Sequence, residues 1–92
     1  MELVITETTV AEVSGIRVAV GNVWEDEYTQ SDGTESVRPG ATLYVMGNTP
    51  ETDFDVRVYE GLEVEIGVQK VRIKNIYAPP RALGRVTLEF LD

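Results

Sequence analysis

The chain contains no cysteine and no histidine. Without cysteine it forms neither disulfides nor thiolate metal sites, and without histidine it lacks the commonest general base and transition-metal ligand at neutral pH. It also has no apolar run long enough to span a bilayer, and its first residues, MELVITETTV, lack the basic start and apolar core of a secretory signal. We therefore expect no catalytic residues, no cofactor, no metal and no membrane association, with the cytoplasm as the default location.

Basic residues are scarce as well. The 92 residues include 16 acidic and 8 basic side chains, and the formal net charge of −8 argues against binding nucleic acid through a phosphate-neutralising surface. Residues 1–55 hold most of the acids, with only Arg17 and Arg38 as bases. Such an asymmetry suits either attraction of a partner or simple solubility.

Helical periodicity is absent from every ten-residue window, whereas short runs rich in Val, Ile, Thr and Tyr alternate with turn residues. This pattern predicts strands at 2–7, 10–13, 16–24, 41–46, 55–59, 62–66, 69–77 and 86–91. We expect one all-β domain over residues 1–92, either a small antiparallel β-sandwich or a closed barrel of seven to eight strands.

The alternation also predicts which side chains form the core. The inward positions are Leu3, Ile5, Ala11, Val13, Val18, Val20, Leu43, Val45, Val56, Val58, Val64, Ile66, Val71, Ile73, Val86, Leu88 and Phe90. On the opposite face of one strand, Lys70, Arg72 and Lys74 form a cationic row that should face solvent or a partner. A second copy of the chain is one candidate partner, so we expect a monomer or weak self-association.

Two parts of the chain resemble each other. Shifting the chain by 53 positions aligns residues 3–24 with 56–77, with identical Glu, Glu, Val and Asn pairs. This similarity indicates either a duplication of two units, 1–46 and 54–92, or the register that alternation alone imposes on Val-rich strands. The alternation breaks at Asn22 and again at Asn75, which predicts a β-bulge at each place.

The longest predicted connection between strands covers residues 25–40 and follows Trp24. Long loops in compact domains are often functional, and an aromatic residue beside charged residues suits a protein-binding patch. We therefore predict a non-catalytic protein-binding domain, such as an inhibitor, immunity-type or accessory protein, which binds another protein through a loop at residues 25–38. The predicted binding residues are Trp24, Glu25, Asp26, Glu27, Tyr28 and Asp32.

Other interpretations of these residues remain open. The long connection can also be a β-hairpin extension without function. Outward-facing Tyr44 and Tyr59 could stack on a sugar, which makes a carbohydrate-binding module an alternative. A calcium-binding module is the other alternative, with carboxylates from Glu25, Asp26, Glu27, Asp32 and Glu35. The run VYEGLEVEIGVQKVRIKNIY followed by GRVTLEFLD resembles many small bacterial β-domains, which implies no particular function.

Overall fold

The computed structural model describes residues 1–47 and 53–91, which form eight β-strands and no helix. The strands are β1 (Glu2–Thr6), β2 (Val10–Val13), β3 (Ile16–Thr29), β4 (Glu35–Met46), β5 (Phe54–Tyr59), β6 (Glu63–Ile66), β7 (Gln69–Tyr77) and β8 (Arg85–Leu91). Since these residues include no helix, they include none that could cross a membrane.

The strands form two four-stranded antiparallel sheets, with orders β1-β8-β7-β6 and β2-β3-β4-β5. Each sheet takes three consecutive strands from one half of the chain and one strand from the other half. The sheets pack together as a β-sandwich, which confirms the predicted fold class. The barrel alternative was wrong, because each sheet keeps two edge strands that have no hydrogen-bonded neighbour in the other sheet.

The core lies between the sheets and is entirely aliphatic. Every predicted inward residue is either buried or packed against the buried cluster. The buried residues are Ile5, Val13, Val18, Val20, Ala41, Leu43, Val45, Val58, Ile66, Val71, Ile73, Ile76, Val86 and Leu88. Burying each Val, Ile or Leu stabilises the fold by about 1.5–3 kcal/mol. Ala41 and Ile76 are members of the core that the predicted list omits, although Ala41 has the same phase as Leu43 and Val45.

Both predicted β-bulges are present. The β3–β4 ladder shifts register between Gly21 and Trp24, and the β7–β8 ladder shifts between Ile73 and Asn75. In β3, Asn22 adopts a left-handed conformation with φ of 51°, which Asn tolerates better than most residues. Because of the extra residue, Val23 in β3 and Ile76 in β7 return to the core side.

The two halves of the chain turn their corners in the same way. At the β1–β2 corner the Thr9 amide donates to the Thr6 carbonyl at 3.1 Å, and Thr8 has φ of 69°. Exactly 53 positions later, the Leu62 amide donates to the Tyr59 carbonyl at 3.1 Å, and Gly61 has φ of 91°. The hydrogen bonds of the two corners therefore correspond at the offset that aligns the sequences.

The prediction that residues 25–38 form a loop was wrong, because most of them belong to strands β3 and β4. Strands β3 and β4 continue past the ends of their neighbours, since β2 pairs with β3 no further than Ala19 and β5 pairs with β4 no further than Gly40. Beyond these points the two strands pair only with each other, over residues 25–39. We call this two-stranded extension the arm.

Candidate functional site

The arm is a regular antiparallel ladder closed by a five-residue turn. Its strand pairs run from Glu25 opposite Pro39 to Thr29 opposite Glu35. In the turn, the Gln30 amide donates to the Thr34 carbonyl at 2.8 Å. Residues 28–36 therefore form a defined hairpin end rather than an irregular connection.

Asp32 organises this turn. Its carboxylate accepts hydrogen bonds from the Thr34 hydroxyl at 2.7 Å and from the Thr34 amide at 3.0 Å, and these bonds lower the pKa of Asp32. Gly33 adopts φ of 88°, a conformation that favours glycine. The turn chemistry that the sequence shows at SDG is thus used at the tip of the arm, and Asp32 has a local structural role.

The arm has two different faces. Val23 packs against the core, so alternation places Glu25, Glu27 and Thr29 on the same side as Val23. Their cross-strand partners on that side are Pro39, Val37 and Glu35. We call this the acidic face. The other side carries Trp24, Asp26, Tyr28, Ser36 and Arg38, and we call it the outer face.

Arg57 of β5 holds the outer face to the sandwich. Its Nε and Nη2 atoms donate to the two carboxylate oxygens of Asp26 at 2.8 and 3.1 Å. Its Nη1 atom donates to the Thr42 hydroxyl at 3.2 Å and to the Asn22 carbonyl. The hydrogen bonds from Arg57 lower the pKa of Asp26, since they stabilise its charged form. Bidentate pairing of this kind fixes both distance and angle between arm and body.

Gly40 provides the space for this interaction. A Cβ atom at position 40 would lie 2.6 Å from Asp26 Oδ2, 3.0 Å from Tyr59 Cε1 and 3.1 Å from Arg57 Nη2. The glycine therefore lets the Arg57 side chain cross β4 and reach β3. A side chain at this position would push the ion pair apart.

Cation–π contacts complete the outer face. The Arg38 guanidinium lies 3.7 Å from the centroid of the Tyr59 ring and 4.5 Å from that of Tyr28. Arg57 lies 4.9 Å from the Trp24 centroid, and the indole Nε1 donates to Asp26 Oδ1 at 2.8 Å. Such contacts contribute about 0.5–1 kcal/mol each at exposed sites. The charged and aromatic groups of the outer face are thus occupied with one another.

The acidic face is chemically different, because none of its carboxylates has such a partner among the residues that the structure describes. Glu25, Glu27 and Glu35 make no ion pair with any residue of the described ranges 1–47 and 53–91. Between them, Val37 leaves 54% of its surface exposed. The acidic face therefore combines uncompensated negative charge with an exposed apolar side chain.

A cleft of about 430 Å³ opens at the base of the arm. It is lined by Val23, Trp24, Glu25, Ala78, Pro79 and Pro80, so it lies between the arm and the β7–β8 connection. Trp24 is 53% exposed although its indole nitrogen is hydrogen-bonded. A large aromatic ring that is held in place and still half exposed is typical of a binding anchor.

The walls of the cleft are held together by Glu7. Its two carboxylate oxygens accept hydrogen bonds from the Val23 amide at 3.2 Å and from the Gly84 amide at 2.7 Å. A Cβ atom on Gly84 would lie 2.4 Å from Val23 Cγ1, so these two residues are already in close contact. The arm base and the β7–β8 connection therefore form one rigid unit.

The structure divides the predicted binding residues among different roles. Glu25 and Glu27 lie on the acidic face, and Trp24 lines the cleft. Asp26 and Tyr28 lie on the outer face with partners inside the molecule. Sequence reasoning missed Arg57, Arg38 and Gly40, which fix the arm, because residues 24–28 read Trp-Glu-Asp-Glu-Tyr and show no alternation that would indicate a strand.

The cationic row faces outward as predicted, but its charges are matched within the molecule. Arg72 pairs with Glu63 at 3.3 Å and with Glu89 at 3.2 Å. Lys74 pairs with Glu2, which raises the pKa of Lys74. Lys70 lies 4.0 Å from Glu63, at the limit of an ion pair. The row therefore presents less free charge to a partner than the sequence indicates.

The structure also places the residues considered for the two alternative functions, sugar binding and calcium binding. Tyr44 and Tyr59 face outward as predicted, but the Tyr59 ring is covered by Arg38, and the Tyr44 hydroxyl accepts a hydrogen bond from Asn22 Nδ2 at 3.0 Å. The carboxylates considered for calcium point to different sides of the arm. In the described part of the chain, no three acidic side chains come together in a way that would hold a metal ion.

Comparisons with known protein families, with curated proteins and with solved structures found no match.

Proposed function

We infer that this protein is a non-catalytic protein-binding domain that engages another protein through the acidic face of the arm and the adjoining cleft. The observation that carries this proposal is the contrast between the two faces. The outer face is occupied with internal contacts that hold the arm to β5, whereas the acidic face has Val37 exposed and three carboxylates with no ion-pair partner among the described residues. The adjoining cleft adds the half-exposed ring of Trp24. A rigid element with one free face loses little entropy on binding.

The correspondence of the two halves supports the same proposal. We interpret units 1–46 and 54–92 as copies of one four-stranded unit, because the corners and bulges match at the sequence offset. Only the first unit carries the arm, and the sandwich closes in the second unit without one. An element that the fold does not require is a good candidate for function.

The proposal is tested by shortening the arm while keeping its anchors. Asp26 and Arg38 are cross-strand partners, so replacing residues 27–37 by Asn-Gly gives a two-residue hairpin that keeps the Asp26–Arg57 ion pair. We expect the shortened protein to lose the partner that the intact protein captures from host extract. Capture of the same partner in equal amount would contradict the proposal.

A charge-reversal variant distinguishes a specific acidic surface from general stickiness. Glu25→Lys combined with Glu27→Lys should slow association more than it accelerates dissociation, because exposed charges act mainly by steering. The matched control is Glu12→Lys combined with Glu65→Lys, on strands β2 and β6 away from the arm. A thermal-shift screen with calcium and a sugar panel tests the two alternative functions, and stabilisation by either would favour that alternative.

A further inference from the structure

One edge of the arm carries backbone groups that have no strand beside them. Strand β2 begins at Val10, opposite Ala19, so no strand of the described residues lies beside β3 on that side from Gly21 to Thr29. The Val23 amide on this edge is already bound by the Glu7 carboxylate at 3.2 Å. The edge that remains open therefore runs along the arm, from Trp24 to Thr29.

The hydrogen-bond alternation identifies which groups point outward. The Gln30 amide is hydrogen-bonded to the Thr34 carbonyl. In an antiparallel ladder every second pair is hydrogen-bonded, so Tyr28 with Ser36 and Asp26 with Arg38 are the hydrogen-bonded pairs of the arm. The intervening residues Glu25, Glu27 and Thr29 therefore direct their N–H and C=O groups away from β4. The outward direction of the Val23 amide fits the same alternation.

The opposite edge of the arm is less suited to accept a strand. The corresponding outward residues of β4 are Glu35, Val37 and Pro39. Pro39 has no N–H, so this edge offers one donor fewer, and proline is a common means of protecting a strand edge. Of the two edges, that of β3 carries the full set of donors and acceptors.

The side chains along the β3 edge determine what kind of strand fits there. The same residues that direct backbone groups outward carry the acidic side chains of the acidic face, so a strand paired with them would place its alternate side chains opposite Glu25 and Glu27. Opposite charges in that position are favourable, whereas a second copy of β3 would bring carboxylates together. The cleft adds a partly apolar pocket at the base of the same edge, lined by Val23, Trp24, Ala78, Pro79 and Pro80 as well as by Glu25.

We propose that the β3 edge of the arm binds an extended basic segment of a partner protein as an added antiparallel strand. Its Lys or Arg side chains pair with Glu25 and Glu27, and an apolar side chain at its carboxyl-terminal end enters the cleft. The antiparallel direction continues that of β2 and gives the more stable ladder. This inference rests on the proposed function and names the chemistry of the partner.

The probe is an acetylated and amidated peptide, Thr-Thr-Lys-Thr-Lys-Thr-Leu, which is long enough to pair with Thr29 when its Lys residues lie opposite Glu27 and Glu25, and its control is Thr-Thr-Glu-Thr-Glu-Thr-Leu. We expect the basic peptide to shift the amide resonances of residues 24–29 and 78–80, and to slow hydrogen exchange at the amides of Glu25, Glu27 and Thr29. Glu25→Lys combined with Glu27→Lys should weaken binding of the basic peptide about tenfold, the size expected when two cross-strand charge pairs become repulsive. Equal binding of both peptides would overturn the proposal.

A backbone variant separates strand addition from charge attraction alone. Thr29→Pro removes an outward donor without changing charge, and it leaves the β3–β4 hydrogen bonds intact for the same reason that Pro39 does. We expect several-fold weaker peptide binding for Thr29→Pro. Its control, Thr29→Ala, should bind the peptide as tightly as the unmodified protein. Unchanged binding in Thr29→Pro would overturn strand addition, as would protection of these amides by self-association without peptide.

Failure of this inference is distinguishable from failure of the proposed function. If shortening the arm abolishes partner capture while Thr29→Pro and the basic peptide have no effect, the arm binds its partner in another way and strand addition is wrong. If the shortened arm still captures the partner, the proposed function is wrong as well.

Discussion

The two halves of the chain build the same hairpin up to one point and then diverge. The β3–β4 and β7–β8 ladders contain corresponding pairs, namely Val20 with Leu43 and Ile73 with Leu88, then Trp24 with Gly40 and Tyr77 with Arg85. Beyond Tyr77 the second half leaves the ladder through residues 78–84, whereas the first half continues into the arm. The sandwich therefore needs the ladder only as far as this pair.

The same comparison identifies the contacts that are particular to the arm. At the offset of the strands, Gly40 corresponds to Arg85, which lies over the Tyr77 ring at 4.4 Å. Arg57 corresponds to Val4, and Asp26 corresponds to Pro79. The ion pair, which joins Asp26 of the first half to Arg57 of the second, and the glycine that makes room for it therefore have no counterpart at the corresponding positions Pro79, Val4 and Arg85. The arm is anchored by residues that the fold itself does not require.

The largest expected effect is at Gly84, where the connection of the second half packs against Val23 of the first half. In Gly84→Ala the new Cβ would lie 2.4 Å from Val23 Cγ1 and 2.8 Å from the Tyr77 carbonyl oxygen, and the backbone contact cannot relax by rotation of a side chain. We expect a loss of about 2–3 kcal/mol in the free energy of unfolding, measured by denaturant titration. Ala82→Val, at an exposed position of the same connection, is the control. A loss no larger than that of the control would contradict the close packing described here.

The next largest effect is expected at Glu7 and Glu60, which correspond at the 53-residue offset between the two halves. Glu7 binds two backbone amides, whereas Glu60 binds the Ile76 amide and the Asn75 side chain, each at 3.0 Å. The counterpart of Gly84 in the first half is Pro39, which has no amide to offer. We expect Glu7→Ala to lower the free energy of unfolding by about 2–3 kcal/mol and Glu60→Ala by about 1–2 kcal/mol. Equal losses for the two variants, or a larger loss for Glu60→Ala, would contradict the distinction between the two sites.

A smaller effect is expected at the anchor of the arm. Asp26→Asn removes the charge that pairs with Arg57. We expect the free energy of unfolding, measured by thermal unfolding at neutral pH, to fall by about 1 kcal/mol. The control Glu27→Gln should leave it unchanged. The pKa of Asp26 is lowered in the folded protein, so its contribution is present above the ordinary aspartate pKa. The difference between protein and variant should disappear as the pH falls through the lowered pKa. A difference that persists in acid would mean that the charge is not its cause.

Much of the fold was predictable because a period of two defines the inward positions of every strand. The alternation at Val18 and Val20, and its break at Asn22, were enough to predict both the core and a bulge. The part of β4 before Ala41 escaped prediction because the preceding Arg-Pro-Gly reads as a turn by local propensity. In the structure these three residues belong to β4, since the cross-strand ladder outweighs propensity.

The site was predictable only in part. The unusual length of the segment after Trp24 indicated where to look, but its Asp, Glu, Ser, Pro and Gly residues are typical of loops. What makes it a strand pair is the β3–β4 ladder, and this ladder is held to β5 by the contact of Arg57 with Asp26, which are 31 residues apart in the chain. Long-range partners of this kind leave no local pattern. Which carboxylates are free, and which are already paired, also depends on them.

The central claim is that the arm binds a partner while the sandwich folds without it. The direct test is partner capture by the protein whose residues 27–37 are replaced by Asn-Gly, measured together with its thermal unfolding. We expect a melting temperature within a few degrees of the intact protein, since shortening a connection changes closure entropy by only about 0.6 kcal/mol per twofold change in length, and we expect no capture. A shortened protein that does not fold, or one that folds and still captures the partner, would contradict the account.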